Sequence, residues 1–168
     1  MLKVNRIKGI SRSEEVNFGF DYELQEGLNL IASDINTRGK SSSILAVYYC
    51  LGFEEIVGGK GMKTLTSVYK TAVEDDLDNL YSVLESEAWI EISNGTDIVT
   101  LFRGGKMAGR NENLVSVYYS DMDKFYSNFP FLKDPNNPLY LNTYNNQTDW
   151  QDLMYNTGLY FGVGKNTL

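Results

Sequence analysis

Residues 27–52 read GLNLIASDINTRGKSSSILAVYYCLG, and the texture changes twice along them. Gly27 opens a short continuous apolar run, GLNLIAS, of the kind expected of a strand buried on both faces. A polar stretch, SDINTRGKSSS, comes next. Then Ile44, Val47, Tyr48 and Leu51 recur at i, i+3, i+4 and i+7, which marks one face of a helix, and Gly52 follows as a C-terminal cap. The predicted order is strand, polar loop, helix.

That order gives meaning to the Gly39-Lys40-Ser41 triplet at the loop–helix junction. A loop that holds phosphate needs backbone N–H groups turned inward and a helix starting at once behind it, so that unpaired amides and the positive dipole end face the anion. It also needs a lysine for the outer phosphates and a hydroxyl for Mg²⁺. The strict pattern is GxxxxGK[ST]. Residues 34–41 read DINTRGKS, so Gly39, Lys40 and Ser41 match while Asp34 stands where the first glycine belongs. Aspartate tolerates left-handed backbone angles better than most residues, but its carboxylate has no favourable role beside phosphates. The plain alternative is an ordinary polar loop with a solvated Lys40.

Length and composition frame this reading. The chain has 168 residues, 42% hydrophobic and 22% charged, which fits one globular domain. There is no histidine, which excludes Ser-His-Asp and Cys-His catalysis and histidine metal sites. The single cysteine, Cys50, excludes an internal disulfide and a cysteine-cluster metal site, and its apolar surroundings mark it as a buried structural residue. No apolar run approaches a membrane span and no signal-peptide core is visible, so a cytoplasmic protein without membrane contact is expected. The net charge of −7 disfavours a surface that tracks nucleic acid throughout, while leaving room for a local basic patch.

On the N-terminal side, MLKVNRIKGI and the alternating EVNFGF read as strands. On the C-terminal side, VGGKGM at 57–62 reads as a mobile loop. TAVEDDLDNLYSVLE is compatible with a helix carrying Val73, Leu77, Leu80 and Leu84 near one face. Its acids Glu74, Asp75, Asp76 and Asp78 are read as a solvated face in preference to a cation site. AWIEIS and DIVTLFR form a hairpin pair around Asn94-Gly95, the dipeptide of tight primed turns. LVSVYYS at 114–120 is a further strand, and beyond 123 the period is weak, with one short helix around 148–156. FRGGKMAGR, with Arg103, Lys106 and Arg110, is either a solvated loop or a basic loop for DNA phosphates.

With these residues in place, the chain resembles the N-terminal nucleotide-binding lobe of the SMC-like ATPases, the group that includes RecF- and RecN-type repair proteins and related phage-defence ATPases. The matching positions are Gly27, Asn29, Ile31, Asn36, Gly39, Lys40, Ser41, Ser42 and Gly52; Asp34 and Thr37 depart from family glycines. KVNRIKGISRSEEVNFGF resembles the family's opening strands, and WIEISNGTDIVTLFR, with its closing Arg103, resembles a following strand pair. The resemblance covers residues 1–52 and 86–103.

The resemblance implies an α/β P-loop NTPase lobe with a mixed β-sheet and a P-loop helix, spanning 1–168 as one ATP-binding lobe, with 104–168 as an extension. It implies ATP and Mg²⁺ as cofactors. Gly39 and its neighbouring amides would cradle the β-phosphate, Lys40 would bridge the β- and γ-phosphates and Ser41 would ligate the metal. Asn36, Thr37 and Arg38 would line the loop, and Ser42 would reach the α-phosphate. The segment around Ser11 and Arg12 lies where the family often meets the nucleotide. A glutamine that senses the γ-phosphate would be Gln147, with Gln151 as the other candidate.

The family's acidic strand end and its signature loop have no counterpart here; Asp121 after LVSVYYS is a poor stand-in, and VGGK is not the signature. Both features belong to a C-terminal lobe, so the chain reads as the N-lobe alone, ending at GVGKNTL without a closing element. The expected partners are that C-terminal lobe, a second copy across ATP, and DNA. The rival readings are a non-hydrolysing nucleotide-sensing module, a self-contained P-loop kinase or GTPase, and a β-rich structural domain.

Overall fold

The computed structural model describes residues 2–32, 39–107, 115–124 and 142–144. Among the described residues the main elements fall in the order β1 (Lys3–Arg12), β2 (Asn17–Glu23), α1 (Lys40–Leu51), β3 (Ala72–Glu74), β4 (Leu80–Ser82), β5 (Glu85–Ser93), β6 (Ile98–Gly104), β7 (Val115–Tyr118) and β8 (Asn142–Tyr144). Three short 3-10 turns lie between α1 and β3. The protein is thus mixed α and β. Its main sheet has six strands in the order β2-β1-β5-β6-β7-β8, and a two-stranded sheet pairs β3 with β4. Every strand pair described is antiparallel, so the mixed sheet expected from the sequence is not present among the described residues.

Register explains the core. Ile7, Ile90, Leu101 and Val117 lie side by side across four strands, and Gly9, Ala88, Arg103 and Val115 form the next row. Both rows face α1, which packs on β1, β5 and β6 and adds Ala46, Tyr49, Cys50 and Leu51 to the buried cluster. The opposite face carries Lys8, Trp89, Phe102 and Ser116 in one row, and Trp89, Phe102, Tyr118 and Met122 form a second buried cluster. The period of two thus sorts alternate residues of each strand onto two different cores.

The expected hairpin of residues 88–103 is formed by β5 and β6, and the strand at 114–120 is β7. The turn differs in detail. Asn94 sits at the first of four loop residues, where its Oδ1 accepts from Thr96 N at 2.9 Å and Asp97 N at 2.8 Å, and Gly95 takes φ 101°. Asparagine here mimics a backbone turn through its side chain.

Three expectations about these elements are corrected. Residues 27–32 belong to neither sheet, and Leu28 and Leu30 are 96% and 84% exposed, so this is no strand buried on both faces. A strand needs a neighbour, and the described strands of the main sheet pair with one another instead. Ile31 alone of the three large apolar residues packs against the core. Second, the helix presents Ser42, Ser43, Ala46, Tyr49 and Cys50 inward along with Leu51, leaving Ile44 exposed. Small residues at 42, 43 and 46 let the helix come close to the sheet, which apolar periodicity alone does not detect.

Third, residues 72–82 form a hairpin and not a helix. Asp75 Oδ1 accepts from Leu77 N at 2.8 Å and Asn79 N at 2.9 Å, and Asp78 adopts φ 62°, a local side-chain turn that outcompetes helix formation. The glycine-rich stretch at 57–62 connects two 3-10 turns, Glu54–Val57 and Gly61–Thr64, with Gly58 at φ 81° and Gly61 at φ 54°. The short helix expected around 148–156 lies outside the described residues. Among the described residues, no helix is long and apolar enough to cross a membrane.

Candidate functional site

The helix begins where the motif requires. Gly39 is its N-cap at φ 68°, a left-handed conformation in which glycine costs nothing, and Lys40 and Ser41 are its first two residues. Gly39 supplies no capping side chain, and no acid occupies the first turn. Among the described residues, no heavy atom lies within 4 Å of the position a Gly39 Cβ would take. Ser43 closes the first turn, its N–H donating to Gly39 O at 2.9 Å and its hydroxyl to Lys40 O at 2.8 Å. An amide-lined, acid-free helix start beside a lysine is a favourable place for an anion.

Lys40 is half-buried and Ser41 exposed. Ser42 is buried, and its hydroxyl pairs with Thr66 Oγ1 at 2.8 Å. That contact ties the first turn of α1 to the 3-10 turn Ser67–Tyr69, so the Ser42 side chain is engaged within the protein. Asp34, Asn36, Thr37 and Arg38 lie outside the described residues, as do Gln147 and Gln151.

The Ser11 and Arg12 side chains have partners within the protein. Ser11 Oγ donates to Val68 O at 2.5 Å, and Arg12 donates to the buried Glu87 carboxylate at 2.8 Å. Asp121 accepts from Lys124 N at 2.7 Å and so holds the turn after β7. The basic loop is also redrawn. Arg103 is fully buried, and the Lys106 ammonium donates to Val83 O; Arg110 is outside the described residues. Among the described residues, no group of three acids or cysteines is placed to hold a metal.

Sequence reasoning missed the support behind the helix. Arg103 on β6 donates to Glu54 Oε1 at 2.6 Å and to Tyr49 O at 2.7 Å, with its guanidinium 4.0 Å from the Tyr49 ring centroid. The Tyr49 hydroxyl donates to Gly104 O at 2.6 Å. A cation therefore meets the carbonyl end of α1, where the helix dipole favours it. The only signal in the sequence was an arginine ending an otherwise apolar strand. Cys50 lies in the same region, and burial pushes its thiol well above the ordinary range, which makes it inert.

Comparison with protein-family models, curated proteins and solved structures gave no match.

Proposed function

We propose that this chain is the ATP·Mg²⁺-binding N-terminal lobe of an SMC-like ATPase. One observation carries the reading: Gly39 in a left-handed conformation opens a helix with no acid in its first turn, whose first residues are Lys40 and Ser41. The arrangement suits a triphosphate: the described residues leave the Gly39 Cβ position clear, the first-turn amides supply donors, and Lys40 and Ser41 supply a cation and a metal-seeking hydroxyl.

In this reading the first-turn amides hold the β-phosphate and Lys40 neutralises charge between the β- and γ-phosphates. Ser41 offers its hydroxyl to Mg²⁺. Ser42, whose hydroxyl is held by Thr66, contributes its backbone N–H towards the α-phosphate. Asn36, Thr37 and Arg38 line the loop, and Gln147 senses the γ-phosphate. The bound nucleotide supplies phosphoryl transfer to water, a reaction that positioning and charge stabilisation accelerate. The acidic and signature motifs come from a C-terminal lobe and a second copy engaged across ATP, with DNA as the substrate of that engagement. Exposed Leu28 and Leu30, in the segment that leads into the loop, support the partner lobe, because apolar residues so exposed call for a cover.

Isothermal titration of the wild type and Lys40→Ala with ATP and Mg²⁺ tests the reading. Removing a charge-assisted contact weakens binding on the order of 10- to 100-fold. Absence of binding by both proteins, each still folded, would sink it. A second reading, a nucleotide-sensing module that binds without hydrolysing, is favoured by Asp34 in the place of the first loop glycine. ATP binding without turnover by the full-length protein together with its C-terminal lobe distinguishes it.

A further inference from the structure

The hairpin of β3 and β4 has two different faces. Val73 and Val83 are buried and Tyr81 half-buried, with its ring 5.3 Å from that of Phe18. This is the inner face. The alternate residues, Leu80, Ser82 and Leu84, fall on the other side together with Ala72 and Glu74, which pair with Ser82 and Leu80. Leu80 is 73% exposed, Leu84 is also exposed, and Leu77 at the tip is 80% exposed. A half-buried strand reads apolar inside and polar outside; in LYSVL at 80–84 two leucines flank Ser82 on the outer side, where polar residues are expected.

The leucines do not line a pliable loop. Asp75 accepts from Leu77 N, Asn79 N and the Asn79 amide, and the Tyr81 hydroxyl donates to it at 3.2 Å, so the tip is locally braced. Leu84 N donates to Arg12 O at 2.8 Å and Val83 N to Thr71 O at 2.8 Å, which anchor the base. The apolar face is therefore held ready and not formed on contact.

Charge selects the occupant. Residues 71–85 contain five carboxylates, Glu74, Asp75, Asp76, Asp78 and Glu85, and no lysine or arginine. Exposed Glu14 and Glu15 occupy the neighbouring β1–β2 turn, just before the strand that carries Phe18. Nucleic acid and anionic membranes are repelled by such a surface, and a second copy would set the same acids against one another in a chain of net charge −7. We infer that the outer face of the β3–β4 hairpin docks a basic protein segment whose apolar side chains cover Leu77, Leu80 and Leu84. This surface is independent of the nucleotide reading.

The test uses the full chain and a short synthetic peptide alternating lysine and leucine, with an all-lysine peptide of equal charge as comparison, titrated by fluorescence anisotropy. The lysine–leucine peptide binds the wild type, and Leu80→Ser with Leu84→Ser weakens it about tenfold. Asp76→Asn with Asp78→Asn, which keeps the turn, weakens binding and flattens its salt dependence. Circular dichroism confirms that both variants stay folded. Equal binding of the all-lysine peptide, no loss in the leucine variant, or no binding at all overturns the inference. So does a wild-type dimer that the leucine variant abolishes, because the occupant is then a second copy.

Discussion

Arg103 Nη1 lies 2.6 Å from Glu54 Oε1, and both side chains are 1% exposed. The pair sits at the C-terminal end of α1, and the same nitrogen also reaches the Tyr49 carbonyl. It joins strand β6 to the last turn of the helix whose first turn carries Gly39, Lys40 and Ser41.

Breaking this pair from one side should be far worse than removing both charges. Arg103→Met leaves Glu54 buried without its cation and is expected to cost about 3–5 kcal/mol. Arg103→Met with Glu54→Leu should recover most of that loss, because two buried charges are then removed together. Urea unfolding midpoints of wild type, the single variants and the double variant check the cycle.

Gly9 is needed because Tyr69 covers it. A Cβ at Gly9 would run into the Tyr69 hydroxyl and come within 2.7 Å of the Phe20 ring. Gly9→Ala is expected to destabilise by about 1–3 kcal/mol through overpacking. The Tyr69 hydroxyl is itself buried with no hydrogen-bond partner among the described residues. Tyr69→Phe should therefore be neutral or stabilising alone and should relieve part of the Gly9→Ala loss, as a thermal-melt double-mutant cycle would show.

Alkali should loosen the same region. Burial pushes the Tyr69 phenol well above its ordinary value, so its neutral form is favoured in the folded state. Its contribution is complete below the unfolded value of about 10 and declines as pH rises beyond it. Stability measured from pH 8 to 11 should fall less steeply in Tyr69→Phe than in the wild type.

Acid should act through two carboxylates held below the ordinary range. At Asp21, burial works to raise the value, but hydrogen bonds from Arg6 and Lys8 outweigh it. At Asp75, hydrogen bonds from the Asn79 side chain and backbone lower it. Both groups contribute stability above the unfolded value near 3.8, and that stability is lost as pH falls through their lower folded values. Asp21→Asn should flatten the stability profile between pH 5 and 2, measured by urea unfolding, because its ion pairs with Arg6 and Lys8 are then absent at every pH.

Cys50 should be silent to thiol reagents in the native protein. It is fully buried, and burial disfavours its thiolate. Reaction with an aromatic disulfide reagent should appear only in denaturant, with a midpoint matching that of global unfolding. Rapid native labelling would show instead that α1 separates from the sheet on its own.

Local chemistry carried much of this architecture. Alternation in β2, the Asn94-Gly95 turn that joins β5 to β6 and the helix opened by Gly39 and closed by Gly52 all follow from short-range patterns in which each residue's preference agrees with its neighbours. The helix start with Lys40 and Ser41 was equally legible, because a glycine–lysine–serine junction before an apolar period is a local signal. Long-range pairing decided the rest. GLNLIAS has the composition of a buried strand, yet burial depends on having neighbours, and the described strands leave Leu28 and Leu30 outside. Leu77, Leu80 and Leu84 fit a helical period, but Asp75 and Asp78 set a turn and the period of two prevailed. The inward face of α1 was chosen by small residues that allow close approach, and Arg103 was turned inward by a glutamate and a carbonyl far away in sequence. Such partners meet only when the sheet and helix pack, because burying a charge or an unpaired edge is a property of the assembled surroundings.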